Sequence, residues 1–170
     1  MKKVSFRNDV LPLKNELFRL ALRITLNRAE AEDIVQDTLI KVWNRRKEWN
    51  AIDSIEAFSL TVCRNLSLDR IKKKGNDNDS LEDVKAAEPL ASSNPQDRMI
   101  QTDKVRLIRQ IVDGLPEKQR SCMQLRDFEG KTYKEIAGVL DISEEQVKVN
   151  IFRARQTVKQ KYLKLDNYGL

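Results

Sequence analysis

The sequence predicts an all-α protein: two small helical domains joined by a flexible acidic linker, with the C-terminal domain forming a helix-turn-helix. Three observations predict it. Apolar residues recur at helical spacing along most of the chain. No strand-like alternation of useful length interrupts them. A polar stretch rich in Asn, Asp and Ser, from Asn76 to about Pro95, divides the helical patterns in two. The expected divisions are a domain over 1–75, a linker over 76–97 and a second domain over 98–170. A chain of 170 residues leaves room for a modest core in each. With 34% charged and 6% aromatic residues, the composition suits helical bundles better than β-sandwiches.

Leu13, Leu17, Leu20 and Ile24 predict a first amphipathic helix over about 12–26, with Pro12 near its start. After a break at Asn27-Arg28, a second helix runs over about 29–46. Its first turn is acidic (Glu30, Glu32, Asp33) and its end basic (Arg45, Arg46, Lys47), as the helix dipole prefers. Val35, Leu39, Val42 and Trp43 supply its core stripe. Asp53 and Glu56 resemble a capping box for a third helix over about 55–74, whose periodicity is traced by Ala57, Leu60, Thr61, Arg64, Leu68 and Ile71. Within the linker, Leu81 and Val84 mark one short docking patch. Helix formers resume near Asp97 and stop at Gly114-Leu-Pro116. A fifth helix, about 117–128, leads through Gly130 into Tyr133–Arg153, which reads as two helices joined by a tight turn, the second capped by Ser143.

Charge is unevenly spread. Residues 1–75 hold 16 basic and 10 acidic side chains, residues 76–103 hold 2 and 7, and residues 104–170 hold 14 and 9. Two basic blocks around an acidic strip suggest two polyanion-facing domains, although such charge also serves solubility. Met1-Lys-Lys-Val runs into polar residues, so no export signal is expected. No segment approaches the ~18 apolar residues of a membrane span. Cys63 and Cys122 are expected to be reduced and partly buried, as in cytosolic proteins. The absence of His and of a Cys-x-x-Cys pair argues against structural zinc. No cofactor, metal or catalytic group is expected.

At about 100° per residue, Val147, Ile151, Ala154 and Val158 form one stripe of the last helix, expected to pack on Ile136, Ala137 and Leu140. The opposite side carries Glu145, Val149, Phe152, Arg153 and Gln156. Exposed Val149 and Phe152 suit contact with thymine methyls and base edges in a major groove, and Arg153 suits guanine. Lys148, Arg155 and Lys159 flank this face and suit phosphates. The alternative is that Phe152 folds back onto a neighbouring helix.

Longer motifs sharpen this reading. Ala31-Glu-Asp-Ile-Val-Gln-Asp-Thr-Leu-Ile-Lys-Val-Trp43 resembles the core-polymerase-binding segment of bacterial sigma factors, and Phe58-Ser-Leu-Thr-Val-Cys-Arg-Asn-Leu-Ser-Leu-Asp-Arg70 resembles their downstream promoter-element helix. Leu115-Pro-Glu-Lys-Gln-Arg120, then Leu125-Arg-Asp-Phe-Glu-Gly-Lys-Thr-Tyr-Lys-Glu-Ile-Ala137 and Arg153-Ala-Arg155, resemble their upstream-element domain. Over about 150 residues the chain resembles a minimal sigma factor of the extracytoplasmic-function (ECF) group.

The resemblance implies an initiation factor that binds core RNA polymerase and promoter DNA and helps to open it. Asp33, Gln36, Asp37, Ile40 and Asn44 would face the clamp-helix coiled coil of the polymerase; read alone, they also fit a solvated acidic face. Arg64, Asn65, Arg70, Lys72 and Lys73 would meet the downstream element, with the loop over about 49–55 helping to hold an unpaired base. Asp69 fits either that surface or a structural salt bridge. Where many relatives carry an aromatic pair, this chain has Phe58-Ser59-Leu60. Glu145, Lys148, Val149, Phe152, Arg153 and Arg155 would read the upstream element. The resemblance further implies a cytoplasmic protein, monomeric outside its complexes and held by an anti-sigma factor that is commonly membrane-anchored. Two other classes remain as alternatives, a stand-alone helix-turn-helix regulator and a nucleic-acid enzyme. The second lacks a nucleophile or a metal-binding carboxylate cluster.

Overall fold

The computed structural model describes residues 3–77 and 99–167, so the Leu81 and Val84 patch and nearly all of the expected linker lie outside the described residues. Seven α-helices and no strand occur among the described residues: α1 Lys14–Thr25, α2 Arg28–Asn44, α3 Ile55–Asp77, α4 Met99–Asp113, α5 Glu117–Met123, α6 Tyr133–Leu140 and α7 Glu144–Asn167.

Local chemistry sets the boundaries. The chain enters through a π turn, Phe6–Val10, and a 3₁₀ turn, Leu11–Leu13, that absorbs Pro12; α1 therefore starts two residues after the predicted point. It ends at Leu26, a non-glycine residue at φ 57°, whose N–H reaches Leu22 O at 2.8 Å. Asn27 then caps α2, its Oδ1 accepting from the Glu30 N–H at 3.0 Å. The predicted Asp53–Glu56 box does not form. Ser54 Oγ accepts from the Ala57 N–H at 3.1 Å instead, and the Glu56 carboxylate binds Lys131 in the other half of the chain. Helix α5 continues as a π turn, Gln124–Phe128, and Gly130 follows at φ 71°, where a side chain would be strained. Thr132 and Glu135 form a reciprocal capping box on α6, and Ser143 with Gln146 forms another on α7.

The two halves do not keep separate cores. Leu17, Leu20 and Ile24 of α1, Ile34 of α2 and Leu60 of α3 share one apolar cluster with Leu125, Ile136, Val139, Val147 and Ile151. Both cysteines belong to it. They are free and buried, and burial pushes both thiols up to about 12, so they stay neutral. Two smaller clusters complete the packing. Val112, Leu115, Met123 and Ala154 tie α4 and α5 to α7, and Val10, Val42 and Trp49 seal the far end of α2.

Charged pairs ring the joint. Arg19 binds Glu129 through two bonds of 2.7 Å, and Arg23 reaches Gln124 and Asp113, each at 2.9 Å. Lys131 Nζ lies 2.8 Å from Glu16 and also binds Glu56. Burial holds the Glu16 carboxyl above its ordinary range against the pull of Lys131.

Candidate nucleic-acid and protein interfaces

The last helix presents the face its periodicity predicts. Val147, Ile151 and Ala154 are buried, with Val158 half-buried, against Ile136, Leu140 and neighbouring groups. Glu145, Lys148, Val149, Phe152, Arg153 and Gln156 are exposed. Phe152 is 61% exposed, so it does not fold back onto a neighbour. A helix can turn large apolar groups outward in this way for a groove or a partner. The basic flank is partly organised: Lys148 Nζ lies 5.4 Å from the Tyr133 ring centroid, and Arg155 pairs with Asp127 through both Nε and Nη2. Arg153 makes neither kind of contact among the described residues.

On α2, Asp33, Gln36 and Ile40 are exposed and Asp37 is half-buried, forming a polar face with Ile40 at 56% exposure in its middle. Asn44, one turn beyond Ile40, is exposed as well. It lines a cleft of about 370 Å³ between α2 and α3, together with Lys41, Arg45, Phe58, Asn65 and Asp69. Trp43 is not part of the core stripe. It is 44% exposed, with its ring edge-on to Phe6 at 5.3 Å and the Arg46 guanidinium at 4.5 Å. Trp49, at the start of the expected base-holding loop, is buried instead, its indole N–H donating to Val42 O at 3.0 Å.

On α3, Asn65, Asp69, Lys72 and Lys73 are exposed, and no ion pair of Asp69 occurs among the described residues. Two arginines depart from expectation. Arg64 is only 6% exposed and donates from Nη2 to Glu117 Oε1 of α5 at 2.7 Å, so it braces the joint and offers DNA nothing in this arrangement. Its place in the sequence carried the signal, since it falls within the apolar periodicity of its helix. The buried stripe runs through Leu60, Cys63, Arg64 and Ser67, which leaves Ile71 at 39% exposure. Arg70 turns back onto α2, bonding Glu30 Oε2 at 2.8 Å, Asp37 Oδ2 at 3.1 Å, and Asp33. Burial pushes the Glu30 carboxyl up, but bonds from Arg70 and Lys74 outweigh it and hold the group below its ordinary range. No residue spacing along one helix announces either contact, because the partners lie on other helices.

Residues 10–76, which include α1, α2 and nearly all of α3, match Sigma-70 region 2, and residues 106–158 match Sigma-70, region 4. The chain belongs to the sigma-70 family. Its relatives place it in the ECF group. It is 28% identical over 159 residues to the probable RNA polymerase sigma factor RfaY of Xanthomonas campestris pv. campestris, covering 91% of this chain and 39% of that protein. To the ECF sigma factor SigE of Mycolicibacterium smegmatis it is 27% identical, over 85% of this chain and 56% of the relative. To the ECF sigma factor SigW of Bacillus subtilis it is 26% identical, over 92% and 88%. The chain thus spans well under two thirds of the first two relatives. The fold matches the sigma factor RpoE of Bartonella quintana, solved in complex with the anti-sigma factor NepR. The TM-score is 0.77 at 23% identity, over 95% of this chain and 98% of that one. In sigma-factor terms, the α2 and α3 surfaces belong to region 2 and the capped turn with α7 to region 4.

Proposed function

We propose that this chain is an ECF-type initiation factor that binds core RNA polymerase and directs it to a promoter class, without chemistry of its own. The observation that carries this reading is the exposed Val149–Phe152–Arg153 face of α7, opposite the buried Val147, Ile151 and Ala154 and preceded by a capped turn. Glu145, Lys148 and Arg155 complete that surface for upstream promoter DNA. Asp33, Gln36 and Asp37 around Ile40 form the polymerase-binding face, an apolar anchor inside a polar rim. Asn65, Lys72 and Lys73 serve the downstream element. The cleft beside Asn65, which Asn44 and Phe58 also line, receives an unpaired base and so aids strand separation.

An anti-sigma factor is the proposed inhibitory partner, in keeping with the neighbour solved in such a complex. No helix among the described residues is long and apolar enough to cross a membrane. In this reading the factor works in the cytoplasm as a monomer outside its complexes.

Size exclusion of the purified protein with bacterial core RNA polymerase tests the reading. Co-elution is expected. Failure to co-elute, with tight binding to palindromic duplex DNA by the protein alone, would favour a stand-alone regulator.

A further inference from the structure

Arg70 stands between two surfaces. On its own helix it is followed by Lys72, Lys73 and Lys74, all exposed. Its guanidinium nevertheless serves the neighbouring helix, bonding Glu30, Asp33 and Asp37 at once. Those acids sit at i, i+3 and i+7 of α2, so one fork of donors can meet all three. Glu30 is the most enclosed, with 21% side-chain exposure, and is shared with Lys74 at 3.0 Å. Asp33 and Asp37 keep 54% and 44% exposure, so an incoming cation can reach them while Arg70 holds them.

We propose that Arg70 couples the two faces: the free protein keeps its charge neutralised by α2, and a basic protein surface docking on Asp33 and Asp37 releases it toward DNA phosphate. The inference rests on the polymerase-binding reading of the α2 face. A cation beside Asp33 and Asp37 competes with Arg70 for their oxygens and repels its charge. Arg70 is then left with one carboxylate, already shared with Lys74. The guanidinium becomes a phosphate ligand beside Lys72 and Lys73. Linkage makes the effect reciprocal, so DNA that draws Arg70 away exposes both aspartates to the protein partner. Arg70 acts here as a positioning residue whose charge is assigned to one face or the other.

The test uses the full chain and a fluorescein-labelled 30-base-pair duplex, with affinity followed against salt. Asp33→Asn with Asp37→Asn mimics engagement of the acids. The pair is expected to tighten binding by about three- to tenfold and to steepen the logarithmic salt slope by about one unit, the signature of one added phosphate contact. Adding Arg70→Gln should remove most of that gain. Glu32→Gln, which neutralises an exposed acid outside the network, should give only a small general charge effect. A gain of equal size with and without Arg70 would overturn the coupling. Core-polymerase co-elution of the same aspartate pair separates the two readings. Retained co-elution contradicts the α2 assignment, whereas lost co-elution with a gain independent of Arg70 contradicts the coupling alone.

Discussion

Arg64 and Arg70 lie on one helix, yet the first braces the joint between the two halves and the second binds the acidic face of α2. Because Arg64 and Glu117 are 7% and 22% exposed, removing the guanidinium leaves a poorly solvated carboxylate. Arg64→Ala is therefore expected to cost about 2–4 kcal/mol in a denaturant melt. An unchanged midpoint with weakened DNA binding would return Arg64 to the DNA surface. Glu135 gives a pH-dependent counterpart. The backbone N–H of Thr132, foremost, holds its carboxyl below the ordinary range. The folded value is depressed, so the stabilisation is full above the ordinary carboxylate range and is lost as pH falls through the lowered value. An NMR titration should find the Glu135 carboxyl below the ordinary carboxylate range; a value within that range would show that the capping box carries no such weight.

At the scale of the element, α7 owes its two faces to periodicity and its start to Ser143. Both are legible in sequence because they depend on neighbours one or two turns away. Arg153→Ala is expected to lose about 1–3 kcal/mol at one upstream base position, measured by competition among promoter variants. A uniform loss across sequences would make Arg153 a phosphate contact. Thr132→Ala, which removes the cap that starts α6, should cost about 1 kcal/mol of stability. Helix existence, order and the exposed face of α7 were readable in this local way. The unformed Asp53–Glu56 box, the outward Trp43 and the inward Trp49 were not. Each involves a partner outside its own helix or turn: Lys131 for Glu56, Phe6 for Trp43, and the Val42 carbonyl for Trp49.

At the scale of the molecule, the two family regions meet through a common core ringed by ion pairs, an arrangement that no run of residues encodes. On the proposed function the α3 and α7 surfaces meet separate promoter elements, which calls for the halves to part, and the closed form is then the proposed resting state of the free factor. Lys131→Glu places a carboxylate against Glu16 and Glu56 and is expected to raise the radius of gyration in small-angle scattering. An unchanged profile would mean that the apolar contacts alone hold the joint. The central claim, that this chain confers promoter-specific initiation, is tested most directly by reconstituted run-off transcription from a cognate promoter. Wild-type protein with core polymerase should yield one discrete transcript, and Asp37→Arg, correctly folded, should yield none. A transcript undiminished by Asp37→Arg would contradict the polymerase-binding face. No transcript from any promoter, despite stable association with core enzyme, would contradict the function itself.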